Sequence, residues 1–179
     1  MDRVAYARTT NGYVTDYVKF GDTKAGALLG LVGVLVGGLV GSAPAVFAAG
    51  ARVGKCLESA SGAVLSAAVL AATVCAWHCV AALSPNVRTA ASLNSFPDIA
   101  ALPESEYIKR VNALADDASL ADEYSRHNWT LSKIAQDKFG HIRQAVVALR
   151  VAIITAAAYA ALAGIASFLA ARSQLVRSL

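Results

Sequence analysis

Charged residues are scarce in this chain of 179 residues: they make up 16% of it, whereas 56% of its residues are hydrophobic. Soluble domains contain about 25% charged and roughly 45–50% apolar residues, and disordered chains contain still fewer apolar ones. Three cysteines are too few, and odd in number, for a disulfide scaffold. Together with a mean hydropathy of +0.51, these values indicate an integral membrane protein. The net charge of +4 then reflects membrane orientation and not nucleic-acid binding.

The sequence also lacks the signatures of common catalytic sites. It contains no P-loop, no dinucleotide-binding glycine pattern, no His-Glu-x-x-His motif and no nucleophile elbow. A Cys-x-x-His-Cys cluster at residues 75–79 has no obvious fourth metal ligand, and thiols pack readily inside helices. Its apolar stretches have no Asp or Glu of the kind that proton-coupled transporters use. We therefore expect a protein that is not an enzyme, with no catalytic residues, no metal site and no cofactor.

Three uncharged stretches are long enough to cross a membrane: residues 25–51, 59–87 and 151–171. A helix needs about 20 apolar residues to cross the hydrocarbon core. After trimming, we place the spans at 25–47, 59–84 and 148–171, and expect span one to end near Pro44 to Phe47, because a proline after an apolar run is a reasonable helix stop. The long polar lead before residue 25 favours an uncleaved anchor over a cleaved signal peptide. The predicted fold class is an all-α membrane protein with three transmembrane helices.

The basic residues indicate the orientation of these spans. Twelve of the 16 precede the first span, lie between the second and third, or, in the case of Arg150, lie at the edge of the third. Cytoplasmic segments of membrane proteins carry the excess of Lys and Arg. We therefore expect residues 1–24 and 85–147 in the cytoplasm, and the turn at 48–58 and the tail at 172–179 outside it.

The first cytoplasmic segment, residues 1–24, has the pattern of a short amphipathic helix. Tyr13, Tyr17 and Phe20 fall at helical spacing. Aromatic side chains just before a span suit the membrane interface. We therefore predict an interfacial helix over this segment.

The longer cytoplasmic segment, 85–147, is predicted to begin with a loop over 86–103 that contains at most one short turn. Acidic residues after Pro103 favour a short helix there. A second helix, capped by Asp117 or Ser119, should follow and can continue without a break from about residue 118 to 172. We expect its first half to form a cytoplasmic stalk continuous with span three.

Span one carries a stripe of glycines at spacings of three and four, on one helical face. They are Gly26, Gly30, Gly33, Gly37 and Gly41. Small residues let helices approach closely in lipid, where no hydrophobic drive brings them together. The stripe predicts a helix contact. Its partner can be span two or three of the same chain, or span one of a second chain.

Two charged residues, Asp22 and Lys24, lie at the cytoplasmic mouth of span one. In one interpretation they are a helix cap and a lysine that reaches to the interface. In the other they form an ion-pair latch with Lys138 or Arg143, which approach the membrane from the stalk. The second interpretation makes Asp22 and Lys24 gating residues.

Residues 124–143 carry four bases against one acid, a local net charge of +3. Such a patch suits an anion, either a phosphate or an acidic lipid headgroup, although a solvated helix face has the same composition. The candidate ligand-binding residues are Arg126, His127, Lys133, Lys138 and Arg143.

Short motifs spread along nearly the whole chain carry a family resemblance. They include the entry into span one, the segment after span two and the run into span three. In order they are Asn11-Gly12-Tyr13-Val14, Asp22-Thr23-Lys24-Ala25-Gly26-Ala27-Leu28-Leu29, Phe96-Pro97-Asp98-Ile99, Ser105-Glu106-Tyr107, Tyr124-x-x-His127, Ile134, Lys138-Phe139 and Arg143. Their order and the arrangement of spans resemble the Pycsar transmembrane effector family. The family positions matched are Asp22, Lys24, Ala25, Tyr107, Lys138 and Arg143.

The resemblance implies a role in bacterial anti-phage defence at the inner membrane. A partner cyclase would make a cyclic pyrimidine mononucleotide, cyclic UMP or cyclic CMP, and the effector would respond by damaging the membrane and stopping growth. No run of residues reads as the β-roll of a separate nucleotide-binding domain, so the cytoplasmic segment would sense the nucleotide, as part of a homo-oligomer. The alternative is a passive structural or interaction subunit without a ligand.

Overall fold

A computed structural model describes residues 2–84, 92–114 and 116–178, with only the backbone described at 96, 97, 177 and 178. Of the described residues 92% are helical, and none of them lies in a strand. The five helices are α1 Arg3–Val53, α2 Lys55–Leu83, α3 Phe96–Ala100, α4 Glu104–Asn112 and α5 Asp117–Ser178. This confirms the prediction of an all-α fold.

Three of these helices, α1, α2 and α5, are long and apolar enough to cross a membrane. Each contains one of the uncharged stretches, and so the prediction of three such helices is confirmed. The membrane boundaries at 25–47, 59–84 and 148–171 and the cytoplasmic position of residues 1–24 stay predictions.

Helix α1 runs without a break through the predicted N-terminal segment and span one. Pro44 does not stop this helix, because α1 continues to Val53, and the end of span one near Pro44 to Phe47 stays a prediction. Proline removes one backbone hydrogen bond, but apolar membrane helices tolerate this when neighbouring groups satisfy the freed carbonyls.

The turn between α1 and α2 is a single residue, Gly54, with φ +155°. Residues with a Cβ rarely adopt such an angle. The ends of the two helices also meet closely, since a Cβ on Gly50 would lie 3.2 Å from the Cα of Glu58. Most of the turn expected at 48–58 is thus helical, and Gly54 alone reverses the chain.

The segment before α5 agrees in part with the predicted order of elements. Residues 85–91 of the expected loop lie outside the described residues, α3 is its short turn, and α4 begins after Pro103 as predicted. The cap of α5 is Asp116 and not Asp117 or Ser119, because its Oδ1 accepts the Ser119 N–H at 2.8 Å. This hydrogen bond lowers the pKa of Asp116. Helix α5 includes the continuous helix expected from about 118 to 172, and its role as a stalk stays a prediction.

The chain divides into two compact units. The first unit contains Met1–Lys24 and Ala81–His141, and the second contains Ala25–Val80 and Ile142–Leu179. Helices α1 and α5 contribute residues to both units. The predicted gating residues and most of the predicted ligand residues belong to the first unit.

The second unit is held together by small and branched apolar side chains from three helices. Its larger cluster consists of Val32 of α1, Ala72, Cys75 and Cys79 of α2, and Ala145, Leu149 and Ala152 of α5. Alanine and cysteine are small enough for the helix backbones to approach closely. The two cysteines of the 75–79 cluster are fully buried here, in the packing role expected for them.

Candidate functional site

An ion pair in the first unit joins α1 to α5: the Lys138 ammonium contacts the Asp22 carboxylate directly. The lysine side chain is only 10% exposed, whereas that of Asp22 is 42% exposed. The two charges are thus solvated unequally. The buried Lys138 ammonium has little water to replace Asp22 if the contact is lost, whereas water can solvate the Asp22 carboxylate. This is the contact that the latch interpretation predicts for Asp22, and its gating role stays a prediction.

The second predicted gating residue, Lys24, lies beside aromatic rings. Its ammonium is 4.2 Å from the centroid of the Phe20 ring and 5.9 Å from that of Phe139. Ring faces attract cations at these distances. Lys24 is therefore linked to the same stretch of α5 as the ion pair, because Phe139 follows Lys138 in the chain.

A buried amide fixes the register of α1 against α5 in the first unit. Asn128, 8% exposed, donates through Nδ2 to the Ala7 carbonyl at 2.8 Å and accepts from Asn11 Nδ2 at 2.9 Å. A buried amide with its partners in place favours one alignment, since sliding would leave polar atoms without partners. Sequence reasoning missed Asn128, although its partner Asn11 begins the first family motif.

A buried carboxylate, Glu123, holds the segment before α3 to α5. It is 4% exposed, accepts the backbone N–H of Leu93 and lies 3.3 Å from the Arg126 guanidinium. Sequence reasoning also missed this residue, because no pattern links position 93 to position 123. The contact occupies Arg126, one of the predicted ligand residues.

The predicted ligand residue His127 is half-buried near the same carboxylate. Burial lowers its pKa, while the charges of Glu123 and Asp98 partly oppose this. Its Nδ1 atom is buried and has no hydrogen-bond partner among the described residues. A neutral imidazole at pH 7 makes His127 a poor ligand for an anion.

The remaining predicted ligand residues do not gather at one point. Lys138 pairs with Asp22, whereas the Lys133 ammonium lies 3.4 Å from Gln136 Oε1. Arg143 is an exposed residue of the second unit. Since a helix rises 1.5 Å per residue, Arg126 and Lys138 are about 18 Å apart along α5. The predicted ligand residues are thus spread along the helix, and Lys133, whose ammonium also lies 5.7 Å from the centroid of the Trp129 ring, stands between Arg126 and Lys138.

The predicted glycine stripe faces away from the other helices. All five of its glycines are exposed, and a Cβ placed on any of them would meet no atom of the described chain within 4 Å. The contact expected for the stripe is thus absent within the described chain. Of the alternatives left open by the pattern, a contact with span two or three is not seen in the described residues, and a contact with a second chain stays a prediction.

The fold and these contacts define a class of protein: an all-helical protein with three helices long and apolar enough to cross a membrane, and with an ion pair whose lysine is buried. A family model described as Pycsar effector protein domain matches residues 6–166. The chain therefore belongs to the Pycsar effector family, and the resemblance seen in its sequence motifs is confirmed. The comparisons with curated proteins and with solved structures found no match.

Proposed function

We propose that this chain is an inner-membrane effector of a Pycsar anti-phage system. In this proposal a cyclic pyrimidine mononucleotide, made by a partner cyclase on infection, activates the effector, which then impairs membrane integrity and stops growth. The observation that carries the proposal is the family match over residues 6–166, which includes residues of both units and of all three apolar helices. Family membership itself supports a role in anti-phage defence.

The ion pair of the first unit supports a gating step. A ligand changes a conformational equilibrium only by binding one state more tightly than the other. We propose that the Asp22–Lys138 contact belongs to the resting state. A nucleotide that binds the first unit better without this contact would favour the state in which it is broken. The apolar helices would then loosen and let ions leak.

We also propose that the active species is a homo-oligomer. The exposed glycine stripe of α1 supports this, because it offers a surface for close helix contact that the described chain itself leaves uncovered. The orientation with residues 1–24 in the cytoplasm follows the charge distribution of the sequence. With this orientation the first unit meets a nucleotide made inside the cell.

The experiment that tests the proposal is a measurement of membrane potential in bacteria that express the chain. A cytidylate or uridylate cyclase is co-expressed, with an inactive cyclase as the control. We expect depolarisation with one of the two active cyclases only. Depolarisation with the inactive cyclase would indicate a constitutive pore. No depolarisation with either active cyclase would favour a passive structural subunit.

The gating step has its own matched variants. Asp22→Lys places two positive charges together and should depolarise cells without any cyclase, and the swap Asp22→Lys with Lys138→Asp should restore the resting state. Asp16→Lys is the control, because Asp16 forms a loose pair on the same helix, 3.8 Å from Lys19, with both side chains more than 70% exposed. Equal effects of Asp22→Lys and Asp16→Lys would contradict the gating role.

A further inference from the structure

A groove lined by aromatic rings lies in the first unit, between α1 and α5. Its volume is about 270 Å³. Tyr13 and Tyr17 of α1 and Phe139 of α5 supply the rings, and Ser132 and Gln136 of α5 add polar groups. We call this the aromatic groove. None of the sequence patterns assigned a ligand to these five residues.

The two tyrosines present their rings to any molecule that enters. Their centroids are 4.9 Å apart and their hydroxyls are hydrogen-bonded at 3.2 Å, yet Tyr13 is 63% and Tyr17 45% exposed. The Phe139 ring lies 6.2 Å from that of Tyr17 across the groove. Exposed rings of this kind stack with nucleobases, since every base has an aromatic face.

The polar groups of the groove complement a nucleotide. The Gln136 amide has both a donor and an acceptor, as the edge of a pyrimidine does. The Ser132 hydroxyl donates to the Asn128 carbonyl at 2.8 Å, which leaves its oxygen able to accept a hydrogen bond. Lys133 does not line the groove itself, but its ammonium donates to Gln136 Oε1 at 3.4 Å and so lies beside the lining, where it can meet a phosphate.

We propose that the aromatic groove binds the cyclic pyrimidine mononucleotide, with the base against the tyrosines and the phosphodiester toward Lys133. The proposal rests on the proposed function and names its ligand site. The volume of about 270 Å³ lies just below the range of about 300–1,000 Å³ that is common for ligand pockets, and so the groove can hold only a small group such as the base of one nucleotide. The rings and Lys133 would also suit a membrane interface, whereas the Gln136 amide adds the paired donor and acceptor that a base edge needs.

The position of the groove links ligand binding to the ion pair. Phe139 is a wall of the groove and also lies 5.9 Å from the Lys24 ammonium. It directly follows Lys138, whose ammonium contacts Asp22. A base that displaces the Phe139 ring therefore acts on the residues of the proposed gate without any intervening element.

The test is a calorimetric titration of the purified full-length chain in detergent micelles with cyclic CMP and with cyclic UMP. Stacking on an aromatic side chain contributes about 1–3 kcal/mol per base, and so Tyr17→Ala should weaken binding by roughly 5- to 140-fold. Tyr6→Ala is the matched control, because Tyr6 is a 60% exposed tyrosine of the same helix that does not line the groove. It should bind as the wild type does.

A second variant tests whether Gln136 hydrogen-bonds to the edge of the base, and it leaves the aromatic rings unchanged. Gln136→Glu removes the donor of the side chain and keeps its size, which should shift the ratio of affinities toward cyclic CMP, since a carboxylate accepts from the cytosine amino group. A role of Gln136 in packing alone would leave that ratio unchanged.

The outcomes separate this inference from the proposed function. If the wild-type chain binds neither nucleotide, both are overturned. If it binds one of them and Tyr17→Ala binds it equally well, the site is overturned, the rings belong to the membrane interface, and the proposed function stands. Equal losses in Tyr17→Ala and Tyr6→Ala would also overturn the site, because the effect would not be local.

Discussion

The two units of this chain are built from different interactions. In the first unit, Asn128, Glu123 and the Asp22–Lys138 pair connect α5 to other segments through hydrogen bonds and opposite charges. In the second unit, the contacts between helices are made by side chains such as Val32, Ala72 and Ala145. The first unit thus depends on the placement of individual polar atoms, and the second on close packing.

This difference follows from the surroundings that we propose for the two units, which are water for the first unit and lipid for the second. Lipid provides no hydrophobic force between helices, so small residues and close contact must hold an apolar bundle together. Polar contacts in water contribute little net free energy each, because water competes for the same groups. Contacts of that kind can be exchanged for a ligand at low cost. The polar contacts of the first unit are therefore suited to a change of conformation on ligand binding. The packed helices of the second unit are suited to changing as a result.

The largest effect should come from filling the close contact in the second unit. Ala145 is fully buried among α2 side chains, and Ala145→Phe adds a ring where no space exists. Overpacking a core costs about 1–3 kcal/mol, and a change of this size should reach or exceed the upper end of that range. The measurement is thermal unfolding of the full-length chain in detergent micelles.

The control for this prediction makes the same change at an exposed site of the same helix. Ala157→Phe should alter stability by less than about 0.5 kcal/mol, because Ala157 is exposed in the described structure. If both variants unfold at the same temperature, Ala145 is not part of a closely packed core, and the comparison between the units fails.

A smaller loss of stability is expected when the ion pair of the first unit is broken. The loss should depend on which of the two partners is removed. Removing one partner of a fully buried pair costs about 3–5 kcal/mol. Because Asp22 is partly exposed, Asp22→Asn should cost less, about 2 kcal/mol, by leaving the Lys138 ammonium buried without its partner. Lys138→Met should cost less again, since water can solvate the Asp22 carboxylate. Chemical unfolding of the three proteins in micelles measures these differences.

The double variant and an exposed pair sharpen this prediction. Asp22→Asn with Lys138→Met should be as stable as Lys138→Met alone, because no buried charge remains. Asp16→Asn, in the exposed pair with Lys19, should change stability by less than about 1 kcal/mol. A double variant that is less stable than either single variant would show that the side chains contribute independently.

The sequence predicts the second unit better than the first, for a physical reason. Long apolar runs between charges indicate membrane helices without any knowledge of their partners. The contact of Glu123 with the Leu93 N–H depends on how distant segments meet, and no local pattern records that. The Asp22–Lys138 pair was one of two pairings that the sequence suggested, because Asp22 precedes the first apolar run and Lys138 is one of the bases that precede the third. The sequence wrongly suggested that α1 stops at Pro44, because rules taken from soluble helices overstate how strongly proline ends a helix in an apolar segment.

Substitutions in the glycine stripe should have the smallest effect on stability. They also test whether a second chain contacts the second unit there. A Cβ on Gly37 meets nothing within 4 Å, so Gly37→Leu should leave the fold intact and, through better helix propensity, stabilise α1 by up to about 1 kcal/mol. If a second chain packs on the stripe, the same variant should abolish chemical cross-linking of the chain in membranes. Leu31→Phe, at an exposed position on a different side of the same helix from the stripe, is the control and should cross-link as the wild type does. Unchanged cross-linking of Gly37→Leu would mean that the stripe faces lipid and that copies of the chain meet elsewhere.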